Sequence, residues 1–290
     1  MENLFEKGCL VQVSSSVWRA TRKIDPGLLP EAPASPEWLS ATKKLIDPQA
    51  LKPINEVVNS ARTYLAGVSL PFPLPGMVFV PREMIGRVDE RLQSFKAGFG
   101  GAVDNFVADY QRLRELAQVH LGELFNELDY PVDITRKFDF AWRFIILDVP
   151  NGKTGVLAPE VYEREKEKFI QTMEEAREMA VASLREEFGS LVKRLTERFT
   201  TGPDGKPKVF KNTTVDSFHA FFETFKERNI FRDQELAELV DRARAILGGT
   251  SPDSLRSDAR LKDRVRSGMA EVETAMADIL ARPRRKIVLN

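Results

Sequence analysis

Asn151-Gly152-Lys153-Thr154-Gly155 contains a Gly-Lys-Thr triplet, the residue types with which a phosphate loop grips a nucleotide. Such a loop also needs a glycine five positions before the one preceding the lysine, so that backbone N–H groups can wrap the phosphates. That position is Leu147, inside an apolar run. The segment therefore reads as a β-turn that binds no nucleotide. His120 lies near Glu123 and Glu127, and His219 near Asp216 and Glu223, all at helical spacing. A metal would need ligands from a second element as well, and a partly buried helix histidine is the plainer reading of each. Cys9 is the only cysteine, which excludes an intrachain disulfide and a cysteine-based zinc site. No Gly-x-Ser-x-Gly occurs, and no histidine lies near Cys9 in sequence, so hydrolase chemistry is unsupported. No catalytic residue, metal or cofactor is expected.

Basic clusters are the remaining candidates. One is Arg19, Arg22 and Lys23. A second is Arg256, Arg260, Lys262, Arg264 and Arg266. A third is Arg282, Arg284, Arg285 and Lys286. Residues 256, 260 and 264 would share one face of a continuous helix. Pairing with Asp253, Asp258 and Asp263 is the ordinary use of such a face. Contact with nucleic-acid phosphates or a protein partner, through Arg256, Arg260, Arg264, Arg282, Arg284, Arg285 and Lys286, is the alternative.

The elements that would position these residues can be read from periodicity and turn chemistry. Residues 9–18 are rich in β-branched side chains and read as a strand. Pro26, Pro30, Pro33 and Pro36 mark a loop, and Ser35-Pro36-Glu37 resembles a capped start of a short helix through Leu45. Asp47-Pro48 repeats that signal for a helix to about Leu65, in which Pro53 is tolerated only near the first turn or at a bend. Residues 67–81 hold four prolines among apolar residues and read as a loop packed on the body. From Ile85 through Val88, Leu92, Phe95, Phe99, Phe106, Tyr110, Leu113, His120 and Leu124 to Leu128, steps of three and four draw one helical stripe. Gly98, Gly100 and Gly101 interrupt it, as a kink or a close backbone approach would. Residues 138–149 read as a strand, partly buried on both faces. A second long helix starts near Pro159, with a stripe through Phe169, Ala180, Phe188 and Leu195. Three further helices are expected at about 214–228, 232–247 and 252–281, followed by a terminal strand at 286–289. The fold class is mainly α: a long antiparallel coiled-coil hairpin with a small β-sheet at its base. Helical arms of about 45 residues would reach roughly 65–70 Å, enough to project or to meet a partner. The chain divides into residues 1–80, 81–200 and 201–290, forming one cooperative unit.

Composition narrows the class further. The 290 residues are 42% hydrophobic, with 43 basic and 43 acidic side chains and no net charge. A zero balance argues against a surface that grips nucleic acid or an anionic membrane everywhere, though not against a local basic patch. No run approaches the roughly 20 apolar residues of a membrane span. The opening MENLFEKGCL lacks the apolar core of a secretory signal. A soluble protein of a reducing cytoplasm is expected.

Several segments in order carry a resemblance. They are Val17-Trp18-Arg19-Ala20-Thr21-Arg22-Lys23, then Lys43-Lys44-Leu45-Ile46-Asp47-Pro48 running on to Ile54, then Phe79-Val80-Pro81, the long helix, and Phe140-Ala141-Trp142. Together they resemble an uncharacterised helix-rich family, a domain of unknown function carried by bacteriophages and plasmids. The resemblance covers most of the chain and contains no catalytic signature. It implies genes encoding MoxR-type AAA ATPases and von Willebrand A-domain proteins as neighbours, and so an adaptor role toward such an ATPase. The expected function is non-enzymatic protein–protein interaction or assembly, with self-association open. Nucleic-acid binding in phage replication or recombination is the alternative.

Overall fold

The computed structural model describes residues 4–24, 40–147, 158–200 and 212–281. In chain order its elements are β1 (Gly8–Ser16), β2 (Thr21–Ile24), β3 (Ala41–Lys44), α1 (Lys52–Val68), β4 (Leu70–Pro71), β5 (Met77–Pro81), α2 (Ile85–Leu121), β6 (Asp139–Ile145), α3 (Pro159–Arg198), α4 (Asn212–Arg228), α5 (Gln234–Leu247), α6 (Pro252–Ser257) and α7 (Ala259–Ala281). The protein is mainly α with a minor β part. Four strands form a sheet in the order β4-β5-β1-β6, and β2 and β3 form a separate two-stranded ribbon. The chain folds into two compact units, and neither is a continuous stretch of sequence. One comprises Met1–Leu10, Gly67–Ile85 and Ile145–Asn290; the other comprises Val11–Ala66 and Gly86–Phe144.

The first unit is built on α3, whose Ala158 carbonyl accepts from Tyr162 N–H at the start of the helix. Its buried stripe of Ala176, Ala180, Leu184, Phe188, Leu191 and Leu195 packs in one core with residues of α4, α5 and α7. Phe188 stacks on Phe221 at 5.5 Å, and Phe221 on Phe225 at the same distance. Full burial of one such ring stabilises by about 1.5–3 kcal/mol. The final helical stretch is not continuous. Asp258 adopts an extended conformation that ends α6. Its carboxylate then accepts from Arg260 and Leu261 N–H, at 2.9 and 3.0 Å, and opens α7. Residues 67–81, expected as a loop, form a hairpin in which Leu70 pairs with Phe79 and Pro71 with Val78. Gly8 of β1 lies so close that a Cβ there would sit 2.2 Å from the Val80 carbonyl oxygen, so only glycine fits.

In the second unit, Asp47 accepts from Gln49 N–H and opens the single turn that leads into α1, with Pro53 in the first turn as expected. Residues 41–44 form strand β3, not the end of a short helix. They pair with β2 in the register Thr21↔Lys44, Arg22↔Lys43, Lys23↔Thr42. The stripe of α2 buries Val88, Leu92, Phe99, Val103, Phe106, Tyr110, Leu113 and Ala117. Aromatic side chains of the same unit cover it: Phe138 against Phe106 at 5.4 Å, Phe140 against Phe99 at 5.7 Å, and Trp18 against Tyr110 at 5.8 Å. Each long helix thus has cover for its stripe inside its own unit. The helix stops at Leu121, where Gly122 takes φ +51°. Leu124 and Leu128 consequently leave the stripe, and Leu128 is 88% exposed. A Cβ added at Gly98, Gly100 or Gly101 would meet nothing within 4 Å, so no backbone approaches them closely. The Gly152–Gly155 turn and the 286–289 strand lie outside the described residues.

Candidate functional site

The second unit concentrates basic side chains around the β2–β3 ribbon. Beyond β1 the chain passes through Trp18 and Arg19 and reverses at Ala20, whose φ of +50° is unusual for a residue with a Cβ. Leu45 N–H donates to the Ala20 carbonyl at 2.8 Å, and the Tyr130 hydroxyl donates to the Leu45 carbonyl at 2.7 Å. These bonds hold the base of the ribbon. Register places Arg22 directly opposite Lys43, an unfavourable like-charge pair. Asp129 offsets it, with Lys43 Nζ at 2.6 Å and Arg22 Nε at 3.6 Å, while Lys43 also donates to the Leu124 carbonyl. The other ribbon face carries Thr21, Lys23, Thr42 and Lys44, all exposed. Among the described residues, neither these lysines nor Arg19 has a carboxylate partner.

Beside the ribbon lies an open cavity of about 390 Å³, with Trp18, Arg19, Arg22, Asp129, Tyr130 and Lys137 in its wall. Burial pushes the Tyr130 hydroxyl up, with Tyr110 and Asp129 adding to the shift and Arg114 opposing it. The wall is thus cationic and aromatic, with neutral phenol. It can take up an anion or stack a ring. A second cavity of about 510 Å³, in the first unit, mixes Lys7, Arg82, Lys226 and Arg232 with Glu6, Glu83 and Glu227 and has no dominant sign.

The residues singled out in sequence are dispersed. Arg260 and Arg264 are exposed on α7. Arg256 belongs to α6, so the break at Asp258 interrupts the continuous face expected to unite all three. The side chain of Arg256, and all of Arg282, Arg284, Arg285 and Lys286, lie outside the described residues. The acidic neighbours have assorted roles: Asp263 pairs with Arg266 at 3.2 Å, while Asp258 caps a helix. His120 and His219 are exposed, where partial burial was expected. No group of three or more His, Cys, Asp or Glu among the described residues could hold a metal. Cys9 is buried, which pushes its thiol up and away from thiolate chemistry. Sequence reasoning noticed Arg19, Arg22 and Lys23 but missed Lys43 and Lys44 as their neighbours, because only the strand register brings them together.

Residues 5–199 match the family described as "Protein of unknown function (DUF3150)". The chain belongs to this family. The DUF3150 region ends with α3, so it contains the ribbon and its cavity, while α4 to α7 lie beyond it. Neither a curated protein nor a solved structure matches the chain significantly. No helix among the described residues is long and apolar enough to cross a membrane.

Proposed function

We propose that the chain is a non-enzymatic binding protein that docks a partner protein through the end of α2 and the run after it. The observation that carries this reading is the exposure of four aliphatic side chains there. Val132 is fully exposed, Leu128 88%, Val119 79% and Leu116 43%. Single exposed aliphatics are ordinary, but four of them within seventeen residues of sequence, left out of the core, motivate a docking role for this end of the unit. The two segments are joined by the Arg114–Glu127 ion pair and by the Tyr110 hydroxyl, which donates to the Pro131 carbonyl at 3.4 Å. An AAA ATPase of the MoxR type is the first partner to test, since the family resemblance implies one, and a second copy of this chain is the next.

The test is calorimetric titration of the full chain with a purified MoxR-type ATPase, alongside sedimentation of the chain alone. Val119→Glu and Val132→Glu should weaken binding, or self-association, by about tenfold or more each, the equivalent of losing one buried aliphatic contact. Unchanged binding and unchanged mass in both variants would remove this surface from the reading.

A further inference from the structure

We propose that the β2–β3 ribbon and the adjoining Trp18 cavity form a binding site for single-stranded nucleic acid. The basis is the placement of charge in a chain whose total is zero. Arg19, Arg22, Lys23, Lys43, Lys44 and Lys137 gather on the ribbon and the cavity wall, and among the described residues Asp129 is the one carboxylate lining that wall. Asp129 is already engaged by Lys43 and Arg22. Among the described residues Arg19, Lys23, Lys44 and Lys137 have no carboxylate partner, so their charges are open to an outside anion.

Edge protection supplies a simpler reason for lysines on a two-stranded ribbon, since charge there discourages pairing with other strands. It accounts for Lys23 and Lys44. It does not account for Arg19 and Lys137 beside an open cavity, or for an indole in the wall of that cavity. A cationic track next to an aromatic ring is the combination that binds single strands without sequence preference: cations follow the phosphates and bases stack on the ring. Trp18 is held from behind by Tyr110 at 5.8 Å and Phe106 at 6.4 Å, so its ring is pre-positioned. Thr21 and Thr42 add hydroxyl donors to the same ribbon face as Lys23 and Lys44. A duplex would bring phosphates but no free base face, so stacking selects the single strand.

The experiment uses the full chain and a fluorescein-labelled oligodeoxythymidylate, read by anisotropy across a salt series. Binding is expected, and Arg19→Ala/Lys137→Ala, which removes two cations of the cavity wall, should weaken it at least tenfold and lower the salt slope by about 1.4, two contacts at about 0.7 each. Arg260→Ala/Arg264→Ala should bind like the parent. Val119→Glu, which tests the protein-docking surface, should also leave oligonucleotide binding unchanged, so the two readings fail separately. In a Trp38→Phe/Trp142→Phe background, Trp18 is the only indole, and the oligonucleotide should quench its emission. Absence of binding, or a loss confined to the α7 variant, overturns the proposal. So does equal binding of duplex DNA and heparin without quenching, which would mark a general polyanion surface.

Discussion

Three phenols in the second unit behave alike because each is removed from water. Burial raises Tyr64, Tyr110 and Tyr130, with nearby arginines opposing the shift in each case. A phenol raised in the folded state keeps its proton after the unfolded chain has lost it. Its contribution to stability is complete below about pH 10, the ordinary tyrosine value, and disappears as pH rises through the folded value. Chemical denaturation from pH 8 to 11 should therefore show stability falling at the alkaline end. Tyr130→Phe should flatten that fall, while costing about 1 kcal/mol at pH 8 for the lost bond to the Leu45 carbonyl. An equally steep alkaline fall in the variant would show that Tyr130 has no part in it. In the first unit, Arg228 is 1% exposed and pairs with Glu187 at 2.6 Å, whereas Glu187 is 35% exposed. The asymmetry predicts unequal mutants. Glu187→Ala strands a buried cation and should cost about 3 kcal/mol in urea titration, while Arg228→Met keeps the volume and should cost less. The reverse order would show that the pair is solvated in solution.

Among the elements, those with local punctuation were legible in the sequence. Asp47-Pro48, Pro159 and Ser251-Pro252 each begin a helical segment as their capping chemistry requires. The first strand and the core of the 138–149 strand were legible too. What failed was any element whose identity depends on a distant partner. Ala41-Thr42-Lys43-Lys44 has no apolar period of its own, and becomes a strand because Thr21–Ile24 lies beside it. Periodicity likewise shows that a face is covered without naming the cover. The stripes of α2 and α3 suggested each other as partners, yet Trp18, Phe138 and Phe140 cover the first, and α4 and α7 pack on the second. The candidate site was half visible for the same reason, as one basic run without the one paired to it. The break at Asp258 allows a direct test at this scale. Asp258→Ala should cost about 1 kcal/mol through loss of the α7 cap, and Asp258→Asn should retain most of it. An Asn variant as unstable as the Ala variant would point to the charge rather than the cap.

At the scale of the whole molecule, the decisive fact is that the chain passes repeatedly between the two units. Neither unit can be excised as a single fragment. Unfolding one would leave several covalent connections running into the other, so the two should melt together. Trp18 and Trp142 lie in the second unit, while α3, α4, α5 and α7 lie in the first. Tryptophan emission therefore follows the second unit, whereas far-ultraviolet dichroism follows the helices of both. Phe106→Ala and Phe188→Ala should each cost roughly 3–5 kcal/mol. In both variants the two probes should give one midpoint. Separate midpoints would show that the units unfold independently.

The far-reaching partners of the first residues also set a timetable for biosynthesis. Ser16 donates to the carbonyl of Lys137, 121 residues later, and Lys7 to that of Ile230, 223 residues later. At about 5–20 residues per second, the opening strand leaves the ribosome on the order of ten seconds before β6 exists to meet it. Within that interval β5 can pair with one edge of β1, but the edge that β6 will cover, next to the buried Cys9, Leu10 and Val11, stays open to water. Nascent chains of this protein should therefore depend on chaperones that shield extended apolar segments, and should aggregate through the open edge of β1 when translation stalls before β6.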